Sequence, residues 1–149
     1  MRAPTLRVMG PVKRRVFVLS NRAANVIVHR LGLRWFRGGE LLMLTTVERS
    51  SGQERTTPVL YLRDGADWIV VASNGGADRE PGWWLNLQAG SPGKVAVNGT
   101  TTPVTGTEIE DPERARVYQR LLSEVFDYDT YQAKVSRRLA VVRLSPVQV

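Results

Sequence analysis

Leu44-Thr45-Thr46-Val47-Glu48-Arg49-Ser50-Ser51-Gly52-Gln53-Glu54-Arg55-Thr56-Thr57-Pro58 and Ala72-Ser73-Asn74-Gly75-Gly76-Ala77-Asp78-Arg79-Glu80-Pro81-Gly82-Trp83-Trp84-Leu85-Asn86-Leu87 carry the strongest structural signals in the chain. The first is an apolar, β-branched run, a Ser-Gly-Gln turn and a threonine-rich return: strand, turn, strand. The second is a strand end broken by paired glycines, followed by a proline that opens a short helix at a position needing no N–H donor. Each sets small hydrogen-bonding residues beside arginine at the end of an apolar run. A small barrel lines a pocket for a flat, anionic ligand in this way.

Around these stretches, residues 41–47 predict a strand. Residues 57–63 predict a second, joined through Asp64-Gly65 to a third over 68–73 as a hairpin. Residues 82–89 predict the short helix. Residues 94–98 and 102–108 form another hairpin around Asn98-Gly99. Asp111 as N-cap and Pro112 at the first helical position start a helix whose apolar face carries Tyr118, Leu121, Leu122, Val125 and Phe126. A further helical piece over about 129–137 carries Tyr131, and residues 139–144 close the chain as a strand. The expected fold class is mostly β with inserted helices: a small antiparallel barrel of about six strands.

Residues 13–37 read as a helix through Phe17, Ala24, Ile27 or Val28, Leu31 and Trp35, stopped by Gly38-Gly39. The expected division is a basic arm and helix over 1–39 and a barrel domain over 40–149. The formal charge is +7, and nine Lys/Arg with no acid lie in residues 1–39. The remaining twelve Lys/Arg face all 14 Asp/Glu, a net of −2. Such a helix suits either packing on the barrel or an anionic membrane surface. No apolar run approaches the ~20 residues that span a bilayer, and the longest apolar run near the start, Val16-Phe17-Val18-Leu19, is expected to be too short for the apolar core of a secretory leader. The expected compartment is the cytoplasm, with peripheral contact at the inner membrane face as the variant. The barrel strands lack the alternation of basic and aromatic residues that stacks bases, so a nucleic-acid partner is not expected.

The chain contains no cysteine, which removes disulfides, thiolate metal sites and cysteine nucleophiles together. His29 is the sole histidine, which excludes a histidine triad or a zinc site. No metal is expected. Residues 49–55 read either as a solvated turn or as an anion cradle of serines, glycine and arginines. Ser73-Asn74-Gly75-Gly76 reads as a strand exit or as a close backbone approach to a ligand. Trp83 and Trp84 point about 100° apart on a helix, so they are not expected to share one core layer. Tyr128 and Tyr131 share a face, as a lid over a pocket or as ordinary packing. This set suits a cofactor that brings its own reactivity.

These residues resemble the deazaflavin-dependent nitroreductase family of actinobacteria, quinone and nitroimidazole reductases that use reduced coenzyme F420, an 8-hydroxy-5-deazaflavin. The resemblance rests on Thr45-Thr46 through Arg49, Ser51-Gly52-Gln53 with Arg55 and Pro58, Ser73 through Ala77, and Pro81 through Leu87, and runs from about residue 40 to the C-terminus. It implies a split β-barrel like that of FMN-binding, pyridoxamine-phosphate-oxidase-type proteins. It implies that Arg49, Ser50, Ser51 and Arg55 hold the phosphate and oligoglutamate tail, with Thr56, Thr57, Pro58, Val59 and Leu60 beside them. Val71, Ala72, Ser73 and Asn74 would contact the ring region, and Gly82, Trp83, Trp84, Leu85 and Asn86 would close the opposite side. Ser73 and Tyr128 would stabilise charge or return a proton, Tyr128 approaching the ring. Leu60, Phe126 and Tyr131 would shape the acceptor side. The implied reaction is hydride transfer to a quinone, enone or nitro acceptor. The family pattern has glycine where Glu48 stands and lysine where Ser50 stands. The nitroimidazole-activating member has lysine at Asn74 and tyrosines at Leu60 and Phe126. A flavin- or haem-binding split barrel, and a carrier that binds the deazaflavin without turnover, are the alternatives. Split barrels often pair as homodimers.

Overall fold

A computed structural model describes residues 35–36 and 39–147. The chain divides into units of residues 1–33 and 34–149, and only the second contains described residues. The arm, His29 and nearly all of the helix expected over 13–37 lie outside the described residues. The end of that helix is corrected: Trp35–Phe36 is a short strand, β1, paired to Gly39 and Glu40. Aromatic residues beside a glycine pair fit a hairpin edge better than a helix end.

The other strands are β2 (Gly39–Val47), β3 (Glu54–Leu60), β4 (Leu62–Asp64), β5 (Asp67–Val71), β6 (Gly93–Val97), β7 (Thr100–Glu108) and β8 (Val141–Pro146). Every pairing is antiparallel, in the order β1-β2-β6-β7-β8-β5-β4, with β3 also on β2. The run expected as one strand over 57–63 is two. Its first part pairs with β2 as far as Leu41↔Leu60, and its second pairs with β5 from Leu62↔Ile69. Tyr61 alone therefore links opposite edges of the strand order, and the sheet must curl to allow it. The Tyr61 hydroxyl donates to the Glu40 carboxylate, tying this link to the start of β2. This split and β1 account for eight strands where about six were expected.

The hairpin expected at Asn98-Gly99 forms with Val97 opposite Thr100. Both turn residues have positive φ, 52° and 79°, as a two-residue hairpin turn requires. Helix α1 (Gly82–Gln88) follows Pro81. Helix α2 (Glu113–Glu124) begins one residue later than Asp111 as N-cap predicts. The Asp111 carboxylate instead accepts from Arg138 Nη2 at 2.8 Å, which holds it below the usual carboxylate range. Helix α3 (Tyr128–Gln132) is shorter than expected.

Residues 68–72 are buried on both faces of the sheet, and their alternation separates two cores. Trp68, Val70 and Ala72 join Leu42, Leu44, Val142 and Leu144 around α1 on the inner face. Ile69 and Val71 join Val141, Leu139 and the α2–α3 residues Val117, Leu121 and Tyr128 on the outer face.

Candidate active site

The first loop leaves β2 at Val47 and returns as β3. Gly52 N–H donates to Glu48 O and Glu48 N–H to Gln53 O, both at 2.8 Å. Gly52 takes φ +74°, a conformation that favours glycine. Ser51 Oγ donates to Glu48 Oε1 at 2.5 Å and accepts from Gln53 N–H at 3.2 Å. Arg55 donates through Nε and Nη2 to the two Glu48 oxygens, each at 3.3 Å. Ser50 is exposed at the tip. The donor set expected to grip an anion thus holds a carboxylate, its own Glu48. The chemistry of the loop fits the phosphate and carboxylates of an anionic tail.

The expected second wall does meet this loop. Arg49 donates to Asn86 Oδ1 through its backbone N–H at 3.2 Å and through Nη1 at 2.9 Å. Asn86 Nδ2 donates to Thr46 Oγ1 at 3.0 Å, and Val47 N–H donates to Ser91 Oγ at 2.8 Å. Asn86 is buried. Both ends of its amide are engaged within the protein, so this side chain staples α1 to the loop.

The pleat divides the residues of β3. Thr57 lies opposite Leu44 and Val59 opposite Leu42, which belong to the inner core, and Val59 packs against that core. Thr56, Pro58 and Leu60 lie opposite Thr45, Met43 and Leu41 on the outer face, where the Thr45 and Thr56 hydroxyls meet at 2.7 Å. A contiguous run from Thr56 to Leu60 therefore does not present its side chains to one ligand face. Val71 and Ala72 likewise sit in opposite cores.

Beyond Ala72, the chain turns through a 3-10 segment, Asn74–Gly76, in which Asn74, Gly75 and Gly76 all have positive φ. Ser73 is half-buried and Asn74 exposed. The turn is held by a residue that sequence reading missed. Arg137 donates to the carbonyls of Ala72 (3.1 Å), Ser73 (3.1 Å), Ala77 (3.0 Å), Asp78 (3.0 Å) and Arg79 (3.2 Å). Asn74 Nδ2 adds a bond to Arg79 O at 3.0 Å. Gln132 braces the clamp, donating to Arg137 O at 2.7 Å and accepting from Leu139 N–H at 2.9 Å.

Trp83 and Trp84 are both buried in the inner core, ring centroids 6.4 Å apart at 58°. The expectation that they cannot share a core layer is corrected. A short helix inside a curled sheet meets apolar neighbours over a wide arc, so adjacent positions are both covered. Leu85 is half-buried and Gly82 exposed. Tyr128 belongs to the outer core, where burial first, and Tyr131 and Tyr118 after it, push its phenol well above the ordinary tyrosine value. Phe126 packs edge-on to Tyr128 at 5.4 Å and lies 5.0 Å from Tyr131. A Cβ on Gly76 would meet Tyr131 Cδ1 at 3.3 Å and Lys134 Cδ at 2.9 Å, so the 3-10 turn rests directly on α3. The structure thus brings the Ser73 turn together with the Phe126–Tyr131 aromatic group, and the Arg49 loop together with α1. It places the Trp83–Trp84 pair and Tyr128 on opposite faces of β5 and β8.

A curled antiparallel half-barrel with an arginine–hydroxyl loop at one end is the architecture of the split-barrel class, which includes cofactor-dependent oxidoreductases. The chain belongs to the F420H(2)-dependent quinone reductase family, whose pattern it matches over residues 13–146. That match begins well before the residue-40 start expected from the motifs. An F420H(2)-dependent quinone reductase of Mycobacterium tuberculosis is 35% identical over 119 residues, covering 78% of this chain and 80% of that one. A solved F420-H2-dependent reductase is similar with TM-score 0.63 and 26% identity, covering 70% of this chain and 93% of that one. A Listeria innocua structure described as a pyridoxamine 5'-phosphate oxidase shares the fold alone, with TM-score 0.51 and 13% identity over 84% of this chain and 93% of that one. The protein is an F420-dependent reductase of the quinone reductase type, and its cofactor is coenzyme F420.

Proposed function

We propose that this chain holds the tail of coenzyme F420 at the 49–55 loop and reduces a quinone presented beside the Ser73 turn, with conjugated enones as further acceptors. The observation that carries the placement is the loop's own grip on a carboxylate through Ser51 and Arg55. When bound, the reduced deazaflavin supplies a hydride. The protein's part is position and electrostatics. Arg49, pinned to Asn86, fixes the loop against α1. Arg55 and Ser51 take the phosphate, with Ser50 and Thr56 at its margin. Thr57 and Val59 line the inner face of β3, and Pro58 and Leu60 the outer.

Ser73 offers a half-buried hydroxyl on a turn whose carbonyls are held by Arg137, a preorganised donor for an acceptor oxygen gaining negative charge. Tyr128 keeps its proton because burial disfavours the phenolate. It serves as an apolar support with a neutral hydroxyl. Phe126 and Tyr131 form the aromatic side against which a flat acceptor stacks. Phe126 has no hydroxyl to hand a proton to a nitro group, so nitro acceptors rank below quinones.

The test is a titration with oxidised F420 and with FMN, followed by oxidation of reduced F420 by menadione. Micromolar binding of F420 but not FMN, with turnover, is expected. Arg55→Ala should weaken F420 binding about tenfold, the scale of one charge-assisted contact, and change the maximal rate little. A fall in rate at unchanged affinity would remove the tail from this loop.

A further inference from the structure

The 48–55 loop is built for anions, yet its most engaged side chain is itself an anion. The Glu48 carboxylate takes the Ser51 hydroxyl at 2.5 Å and the Nε and Nη2 donors of the Arg55 guanidinium, each at 3.3 Å. These are the groups that the proposed function assigns to the cofactor's tail. The backbone of Glu48 is fixed at the neck of the hairpin by its bonds to Gly52 and Gln53. Only the side chain has to move for the seat to open. The pair is reachable from solvent, with side-chain exposures of 46% for Arg55 and 31% for Glu48. The neighbouring cation, Lys94, is paired with Glu54 at 3.1 Å. An incoming phosphate therefore meets a seat that already contains one negative charge.

Resting on the reading that this loop takes the tail, we propose that Glu48 is an internal anion occupying the seat of the cofactor's phosphate, and that its displacement sets cofactor affinity and tail selectivity. With the seat free of cofactor, Glu48 keeps Ser51 and Arg55 ordered and stops the loop from gripping stray anions. With cofactor present, the same donors are exchanged from carboxylate to phosphate, and the freed Glu48 charge repels the tail. A deazaflavin without phosphate or glutamates makes no such exchange.

The experiment is a fluorescence titration of the full-length protein, its Glu48→Gln, Arg55→Ala and double variants. Each is titrated with oxidised F420 and with the deazaflavin riboside that lacks phosphate and glutamates. Glu48→Gln keeps the side chain's size and removes its charge. It should tighten F420 about fivefold, the scale of one screened charge near the surface, and leave riboside affinity unchanged. The loss on Arg55→Ala should be larger in the Glu48→Gln background, because Arg55 is then no longer shared. Unchanged or weaker F420 binding by Glu48→Gln, or equal tightening of the riboside, overturns the proposal while leaving the tail placement standing. F420 affinity insensitive to Arg55→Ala in both backgrounds overturns the tail placement and the proposal together.

Discussion

Arg137 shows how much of this site depends on one side chain outside it. Its fork of N–H donors meets carbonyls from Ala72, Ser73, Ala77, Asp78 and Arg79, a set that no ammonium can reproduce. Arg137→Ala leaves those acceptors, of which the Ala72, Ser73 and Ala77 carbonyls are part-buried, short of donors. It should lower stability by about 2–3 kcal/mol, the scale of a charged hydrogen-bonding group removed from its partners. Arg137→Lys should recover less than half of that, read from urea denaturation midpoints. The same variants should raise the amide exchange rate of residues 74–79, a readout that a mere loss of surface charge leaves unmoved. Nothing in the sequence near Arg137 announces this role, since its acceptors lie 58 to 65 positions away. Asn86 stood out in the sequence as a candidate cofactor contact, but its partners within the protein did not. Its partners Arg49 and Thr46 lie 37 and 40 residues upstream, and they turn a possible ligand contact into a staple. Glu48 was legible only as a departure from a pattern. Its carboxylate's grip on Ser51 and Arg55 required the hairpin to close.

Elements were more legible where a local rule acts alone. Asn98-Gly99 and Asp64-Gly65 mark hairpins, because positive φ is cheap at glycine and asparagine. Pro81 marks the start of α1 for a comparably local reason. The contact between the 3-10 turn and α3 was not legible, and it can be broken. Gly76 has φ +80°, and an added methyl meets Lys134 and Tyr131. Gly76→Ala should cost about 1–2 kcal/mol from backbone strain alone and push α3 off the turn. The expected signature is loss of the near-ultraviolet signal of Tyr131 before the fold is lost. Helix α2 is joined to α3 by the Tyr118 hydroxyl, which donates to Asp129 at 2.8 Å. Burial first, and then this bond, push the Tyr118 phenol up to about 12. Its folded value lies above the unfolded one of about 10, so the stabilisation is complete below pH ~10 and declines as pH rises toward 12. Denaturant midpoints should be flat to about pH 9.5 and then fall, with a shallower fall in Tyr118→Phe.

At the scale of the whole molecule, the sheet closes because β3 and β4, separated only by Tyr61, pair at opposite ends of the strand order. The charge is equally uneven, with nine of 21 Lys/Arg in residues 1–39 and a net of −2 in the rest. Among the described residues no helix is long and apolar enough to cross a membrane. If the basic arm gives access to a lipophilic quinone, the full-length protein should sediment with anionic vesicles at low salt and not with neutral ones. It should be released at about 0.5 M salt, where screening reaches only a few ångströms. Sedimentation unaffected by salt or by lipid charge would remove that role. The hairpins at Asp64-Gly65 and Asn98-Gly99, the strands flanking them in outline and the short helix after Pro81 were written into the local sequence. Each of these follows from φ preferences, pleat period and side-chain chemistry acting within a few residues. Long-range packing was needed to bring Trp83 and Trp84 into one core with Tyr128 behind the sheet, to put Thr57 on the inner face and Thr56 on the outer, and to set Arg137 on the Ser73 turn. Those outcomes depend on which strand lies beside which and on how the sheet curls, and contacts between residues far apart in the chain set both.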